Sequence, residues 1–189
     1  MSGALAYKEE YNDHEIINGE IYMMSRPNTD HMQVEGNIYS AFKNYLKGRS
    51  CRPFNETDVF LDKNNNVVPD VMIVCNPEII KKQGIYGTPD LMVEILSPST
   101  ARKDKMEKFK LYEKYGVKEY WIVSPEMKSV EVYLLNDGKF ELNGVYIIYP
   151  DYEWDRLTEQ KKAEVQFEIK ISLYEDFIVR LEDIFENVT

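Results

Sequence analysis

Hydrophobic positions along this chain change their spacing several times, and each change marks an element. Ile16-Ile17 and Ile21-Tyr22 flank Asn18-Gly19, the preferred two-residue turn, which predicts a hairpin over residues 15–24. After Pro27-Asn28-Thr29-Asp30 the period becomes helical. Met32, Ile38, Tyr39, Phe42, Tyr45 and Leu46 fall near one face of a helix of about 18 residues that ends around Gly48. Strand-like Val59-Phe60-Leu61 and Val67-Val68 flank a turn over residues 62–66. Two continuous apolar runs follow, Val71 to Cys75 and Leu91 to Leu96, separated by a loop with Gly84 and Gly87; both have the character of core strands. Ser97-Pro98-Ser99-Thr100 ends the second run, and Thr100 can cap a helix from about Ala101 to Tyr115 that stops at Gly116. Tyr120 to Val123 is a buried strand, Ser129 to Leu135 alternates, and further strands fall around Phe140, residues 146–149 and residues 165–171. Leu173, Phe177, Leu181 and Ile184 predict a closing amphipathic helix. The order implies a mixed α/β fold, with a central mixed sheet flanked by helices and an N-terminal hairpin.

With 189 residues, 43% of them hydrophobic, and no low-complexity break, one domain over residues 1–189 is expected. No basic patch followed by an apolar segment opens the chain, and no run approaches the ~20 apolar residues that span a bilayer, so a cytoplasmic protein without membrane contact is expected. Cys51 and Cys75 form neither a disulfide framework nor a metal knuckle and read as reduced core thiols. A net charge of −10 counts against broad nucleic-acid binding. It leaves room for a local basic path, since Arg102, Lys103, Lys105, Lys108, Lys110 and Lys114 crowd one segment.

Two acids stand out against the apolar runs. Asp70 heads the first and Glu94 lies inside the second, where a carboxylate must be paired, protonated or bound to a cation. Asp90 also follows a proline, but it is four residues from Glu94 in the same strand, about 13 Å away at ~3.3 Å per residue. Asp70 comes from a different strand; if the two strands are neighbours, a spacing of about 4.8 Å lets both carboxylates reach one ion. All-oxygen ligands favour Mg²⁺ or Mn²⁺ over zinc. The structural alternative places Asp70 in a turn and pairs Glu94 with a lysine at the core edge.

Pro69-Asp70 followed by Glu94 in Leu91-Met92-Val93-Glu94-Ile95-Leu96 resembles the PD-(D/E)XK nuclease motif. With Ser97-Pro98-Ser99-Thr100, Asp104, Lys108, Tyr112, Gly116-Val117, Glu119-Tyr120-Trp121 and Val123-Ser124-Pro125, the chain resembles the Uma-type family of bacterial proteins labelled restriction endonucleases. Ile17-Asn18-Gly19-Glu20 and the Pro27 loop with His31 fit as well. The resemblance implies a restriction-endonuclease-like core and divalent-metal hydrolysis of DNA, with Asp70, Glu94 and the Ile95 carbonyl holding Mg²⁺ or Mn²⁺. The chain departs from the parent motif at Leu96, where the usual lysine would stand. Lys108, on the following helix with Asp104 and Tyr112 at intervals of four, is the candidate replacement. Glu35, His31, Glu56 and Asp58 are weaker candidates for the cleft. A noncatalytic protein that keeps the fold and binds nucleic acid or a protein partner is the rival reading. Cutting both strands would favour a homodimer.

Overall fold

A computed structural model of the chain describes residues 14–24, 26–97 and 101–189. Thr100, the expected helix cap, lies outside the described residues. The hairpin forms as the Asn-Gly turn dictates: β1 (His14–Ile17) pairs with β2 (Glu20–Met23), with Asn18 at φ 53° and Gly19 at φ 82°. Helix α1 (Thr29–Leu46) runs 18 residues, and its Asn28 cap accepts the His31 backbone N–H. The strands β3 (Arg52–Asn55), β4 (Val59–Asp62), β5 (Asn65–Val67) and β6 (Val71–Val74) follow. Where a glycine loop was expected, the short strands β7 (Ile80–Lys81) and β8 (Gly84–Tyr86) form before β9 (Leu91–Ile95).

The predicted second helix is divided. It consists of α2 (Ala101–Lys103), a π-helical turn (Asp104–Lys108) and α3 (Phe109–Tyr115), closed by Gly116 at φ 79°. Strands β10 (Glu119–Ser124), β11 (Ser129–Asn136) and β12 (Lys139–Ile147) come next, the last being one strand where two short ones were expected. The chain ends with α4 (Asp151–Trp154), α5 (Glu159–Glu164), β13 (Glu168–Lys170), β14 (Ile178–Arg180) and α6 (Leu181–Ile184).

Among the described residues the strands form two six-stranded mixed sheets, β2-β1-β5-β4-β8-β7 and β12-β11-β10-β9-β6-β3, and a separate β13-β14 pair. The second sheet has core on both faces. Leu91, Val93 and Ile95 of β9 and Val71 and Ile73 of β6 pack with α1, β14 and α6. Met72, Val74 and Met92 alternate to the other face, against Tyr112 of α3 and Ile17, Val59 and Val67 of the first sheet. Continued by two residues, that alternation assigns Asp70 and Glu94 to the face between the sheets.

Three expectations are corrected. Met32 is 59% exposed, and the buried face of α1 is Val34, Glu35, Ile38, Phe42 and Leu46. Cys51 and Cys75 are joined as a disulfide rather than free. They extend the antiparallel β3/β6 ladder by one position beyond Arg52 and Val74, so the two side chains meet across the sheet edge. The closing helix over residues 173–185 is instead a strand and a short helix. Phe177, Val179 and Leu181 satisfy an alternating pattern as well as a helical one, and pairing with β13 meets the backbone's hydrogen-bonding needs while burying Val179.

Phe42 sits fully buried, edge-on to Trp121 and Phe177 with ring centres 5.7 Å from each. Phe42→Ala should therefore lower unfolding free energy by about 3–5 kcal/mol, read from the midpoint and slope of urea denaturation.

Candidate active site

The two strands that carry the acids are hydrogen-bonded neighbours. Antiparallel pairing of β6 with β9 matches Val71 with Val93, so Asp70 falls opposite Glu94 at the next position. Asp70 Oδ2 accepts the Ile95 backbone N–H at 2.5 Å, which ties the carboxylate to the end of β9. Its other oxygen, Oδ1, lies 3.1 Å from His31 Nε2, supplied by the first turn of α1. Asp90 is held at the other end of β9 by the Cys75 N–H and Lys118.

Glu94 is buried to 3% exposure and is met from the helix on its own side of the sheet. Lys108 Nζ is 2.8 Å from Oε2, and the Tyr112 hydroxyl donates to Oε1 at 2.6 Å. Leu96, on the same face as Glu94, packs against the apolar cluster between the sheets instead of supplying a cation. Lys108 thus delivers an ammonium to Glu94 from the helix. The same nitrogen is 2.7 Å from Glu15 Oε1 and 3.9 Å from Asp104 Oδ1.

Glu15 did not stand out in the sequence. It is 1% exposed, accepts the Val68 N–H at 2.9 Å through Oε1, and binds Lys103 through Oε2. Its signal was its position: in β1 it shares a face with Ile17, so an inward carboxylate was implied once the hairpin was packed against another sheet. Among the weaker candidates, His31 and Glu56 line the cleft, Glu35 accepts a hydrogen bond from Asn55, and Asp58 accepts one from Asn66.

Burial pushes the Glu94 carboxyl well up; the attraction of Lys108 opposes this, while Asp104, Asp70 and Glu15 add to it. Burial would pull the Lys108 ammonium down, but Glu15, Glu94, Asp104 and Asp70 push it well above the usual lysine range. Lys108 is therefore a fixed cation and not a proton acceptor near neutral pH. Burial and the neighbouring Glu94 also push the Tyr112 hydroxyl well up, so it remains a donor.

Glu15, Glu56, Asp70, Glu94 and Asp104 surround a cleft of about 280 Å³ together with Arg26, Lys103 and Lys108. Five acidic side chains and three basic ones thus face the cleft, beside His31. Among the described residues no three His, Cys, Asp or Glu side chains form a ready-made metal cage.

The family model described as "Putative restriction endonuclease", Uma2, matches residues 4–164. The chain belongs to the Uma2 family. An uncharacterized protein of Synechocystis sp. strain PCC 6803 is 30% identical over 162 residues, covering 84% of this chain and 82% of its own length. The crystal structure of a protein from Anabaena variabilis, described as a putative nuclease belonging to DUF820, superposes with a TM-score of 0.69 at 21% identity, covering 91% of this chain and 89% of the other. That likeness shows that the two chains share a fold. No helix among the described residues is long and apolar enough to cross a membrane.

Burial would raise the Glu15 carboxyl, but Lys108 and Lys103 hold it below its ordinary 4.5. A depressed carboxylate stabilises the fold above its unfolded value and loses that contribution as pH falls through the lower folded value. Chemical denaturation across pH should show wild type losing stability below about 4.5, with a shallower acid limb in Glu15→Gln. The difference between the two proteins should be largest near neutrality.

Proposed function

We propose that this Uma2 protein is a metal-dependent endonuclease that hydrolyses DNA phosphodiester bonds. The observation that carries the reading is the buried Lys108 ammonium 2.8 Å from Glu94, an acid on the strand next to Asp70. It supplies the cation that the motif lacks at Leu96. Asp70 and Glu94, with the Ile95 carbonyl, are the proposed ligands of Mg²⁺ or Mn²⁺.

The donor set fits such an ion. It is all oxygen, it lies in a cleft lined by more acidic than basic side chains, and Mg²⁺ is usually held by one or two carboxylates while water and phosphate oxygens complete its shell. The chemistry this cation supplies when bound is Lewis-acid stabilisation of phosphate charge and a more acidic bound water. Lys108, held protonated by Glu15 and Glu94, neutralises charge that grows on the phosphoryl oxygens as water adds to phosphorus and the leaving oxygen departs. His31 and the Ile95 N–H fix the two oxygens of Asp70, and Tyr112 fixes Glu94, so the carboxylates are oriented before substrate arrives.

One observation favours the rival noncatalytic reading. Both Glu94 oxygens already have partners, as they would in an ion-pair network that serves only the fold. Plasmid nicking by the purified protein separates the two. Activity should require added Mg²⁺ or Mn²⁺, disappear on chelation, and fall about 100-fold or more in Asp70→Ala, Glu94→Ala and Lys108→Met. Equal nicking by wild type and Asp70→Ala would remove these residues from catalysis, and no nicking under any metal would favour the binding protein.

A further inference from the structure

Six basic residues crowd residues 102–114, but they do not form a common path. Of the six, only Lys103 and Lys108 line the cleft. Lys105 pairs with Glu131 on β11, away from the acids. The two that remain share one carboxylate: Lys108 on Glu15 Oε1 and Lys103 on Glu15 Oε2.

Helical geometry makes this sharing unusual. Five residues make about 1.4 turns of an α-helix, so Lys103 and Lys108 would point roughly 140° apart. A π turn, whose hydrogen bonds skip to the fifth residue, returns positions i and i+5 to nearly the same side. The turn Asp104–Lys108 does this, and Lys108 and Tyr112 beyond it still reach Glu94 together.

The two lysines differ in what they have left to give. Lys108 is 3% exposed and spends donors on Glu15 and Glu94. Lys103 is 13% exposed, lines the cleft, and places one of its three N–H donors on Glu15. A carboxylate and a phosphoryl group both present two oxygens a little over 2 Å apart, so a pair of ammonium groups set across one suits the other.

We propose that Lys103 is a second phosphate-binding cation of the cleft, held ready by Glu15 and brought beside Lys108 by the π turn. The ligand is a nonbridging phosphate oxygen of the nucleic-acid strand in the cleft. This rests on the nuclease reading of the site and adds to it a contact made by the outer lysine.

Each phosphate neutralised by a lysine contributes about 0.9 to the slope of log affinity against log salt for duplex DNA. The test measures anisotropy of a short fluorescent DNA duplex with the full chain in Ca²⁺, at several salt concentrations, so that binding is read without turnover. Lys103→Met should weaken binding several-fold at low salt and make the slope shallower by about one, while Lys103→Arg should keep the wild-type slope. Lys103→Gln retains a donor for Glu15 but no charge; if the Met variant folds poorly, the Gln variant should show the same shallower slope. An unchanged slope in a folded Gln or Met variant overturns the proposal. Failure of wild type to bind duplex at all overturns the nucleic-acid reading itself, and with it the role of Lys103.

Discussion

A lysine ammonium buried between two glutamates is the contact on which the architecture of this protein turns. Lys108 joins Glu15 of the first sheet to Glu94 of the second, and it comes from the helix packed between them. Placing three charges at 3% exposure or less is costly, so each must be paired by the others. Removing any one strands a charge in the interior. The hairpin, the central strands and the helix are therefore bound together by electrostatics at the point where the apolar clusters leave a cleft.

That arrangement also explains the interrupted helix. A regular α-helix from residue 101 would keep Asp104, Lys108 and Tyr112 in one row and turn Lys103 away. The π turn keeps the row's last two members on Glu94 and turns Lys103 back toward Glu15. Such turns break the regular hydrogen-bond ladder and recur at functional sites. Here the local irregularity lies beside the proposed metal ligands, on the wall of the cleft.

The features legible in the sequence were those fixed by local chemistry. Asn18-Gly19 dictates a tight hairpin, Asn28 caps an 18-residue helix, and the spacing between strands favours Asp70 over Asp90 as the neighbour of Glu94. What remained hidden depended on partners remote in sequence. Glu15 looks like a solvated hairpin acid until β1 is laid against β5 and Lys108, 93 residues later in the chain, reaches it. His31 gives no sign of Asp70, 39 residues away, and the Cys51–Cys75 bond follows only from the β3/β6 register. The π turn has no sequence signature in the i, i+4 spacing. At the C-terminus the apolar residues fit two periods at once, and strand pairing decided between them.

The acidic surface and the charge of the cleft follow one logic. On the proposed nuclease reading, a chain with net charge −10 gains little from long-range attraction to DNA, and affinity is concentrated where Lys103, Lys108 and a cation between the acids would meet a phosphate. Asp70 and Glu94 are the proposed shared ligands of that cation. The most direct measurement is an anomalous difference map from crystals soaked in Mn²⁺. A peak is expected at direct-coordination distance from both the Asp70 and Glu94 carboxylates, with Lys108 still on Glu15. A map with no peak between the two acids at saturating Mn²⁺, or with Mn²⁺ bound only elsewhere, would contradict it.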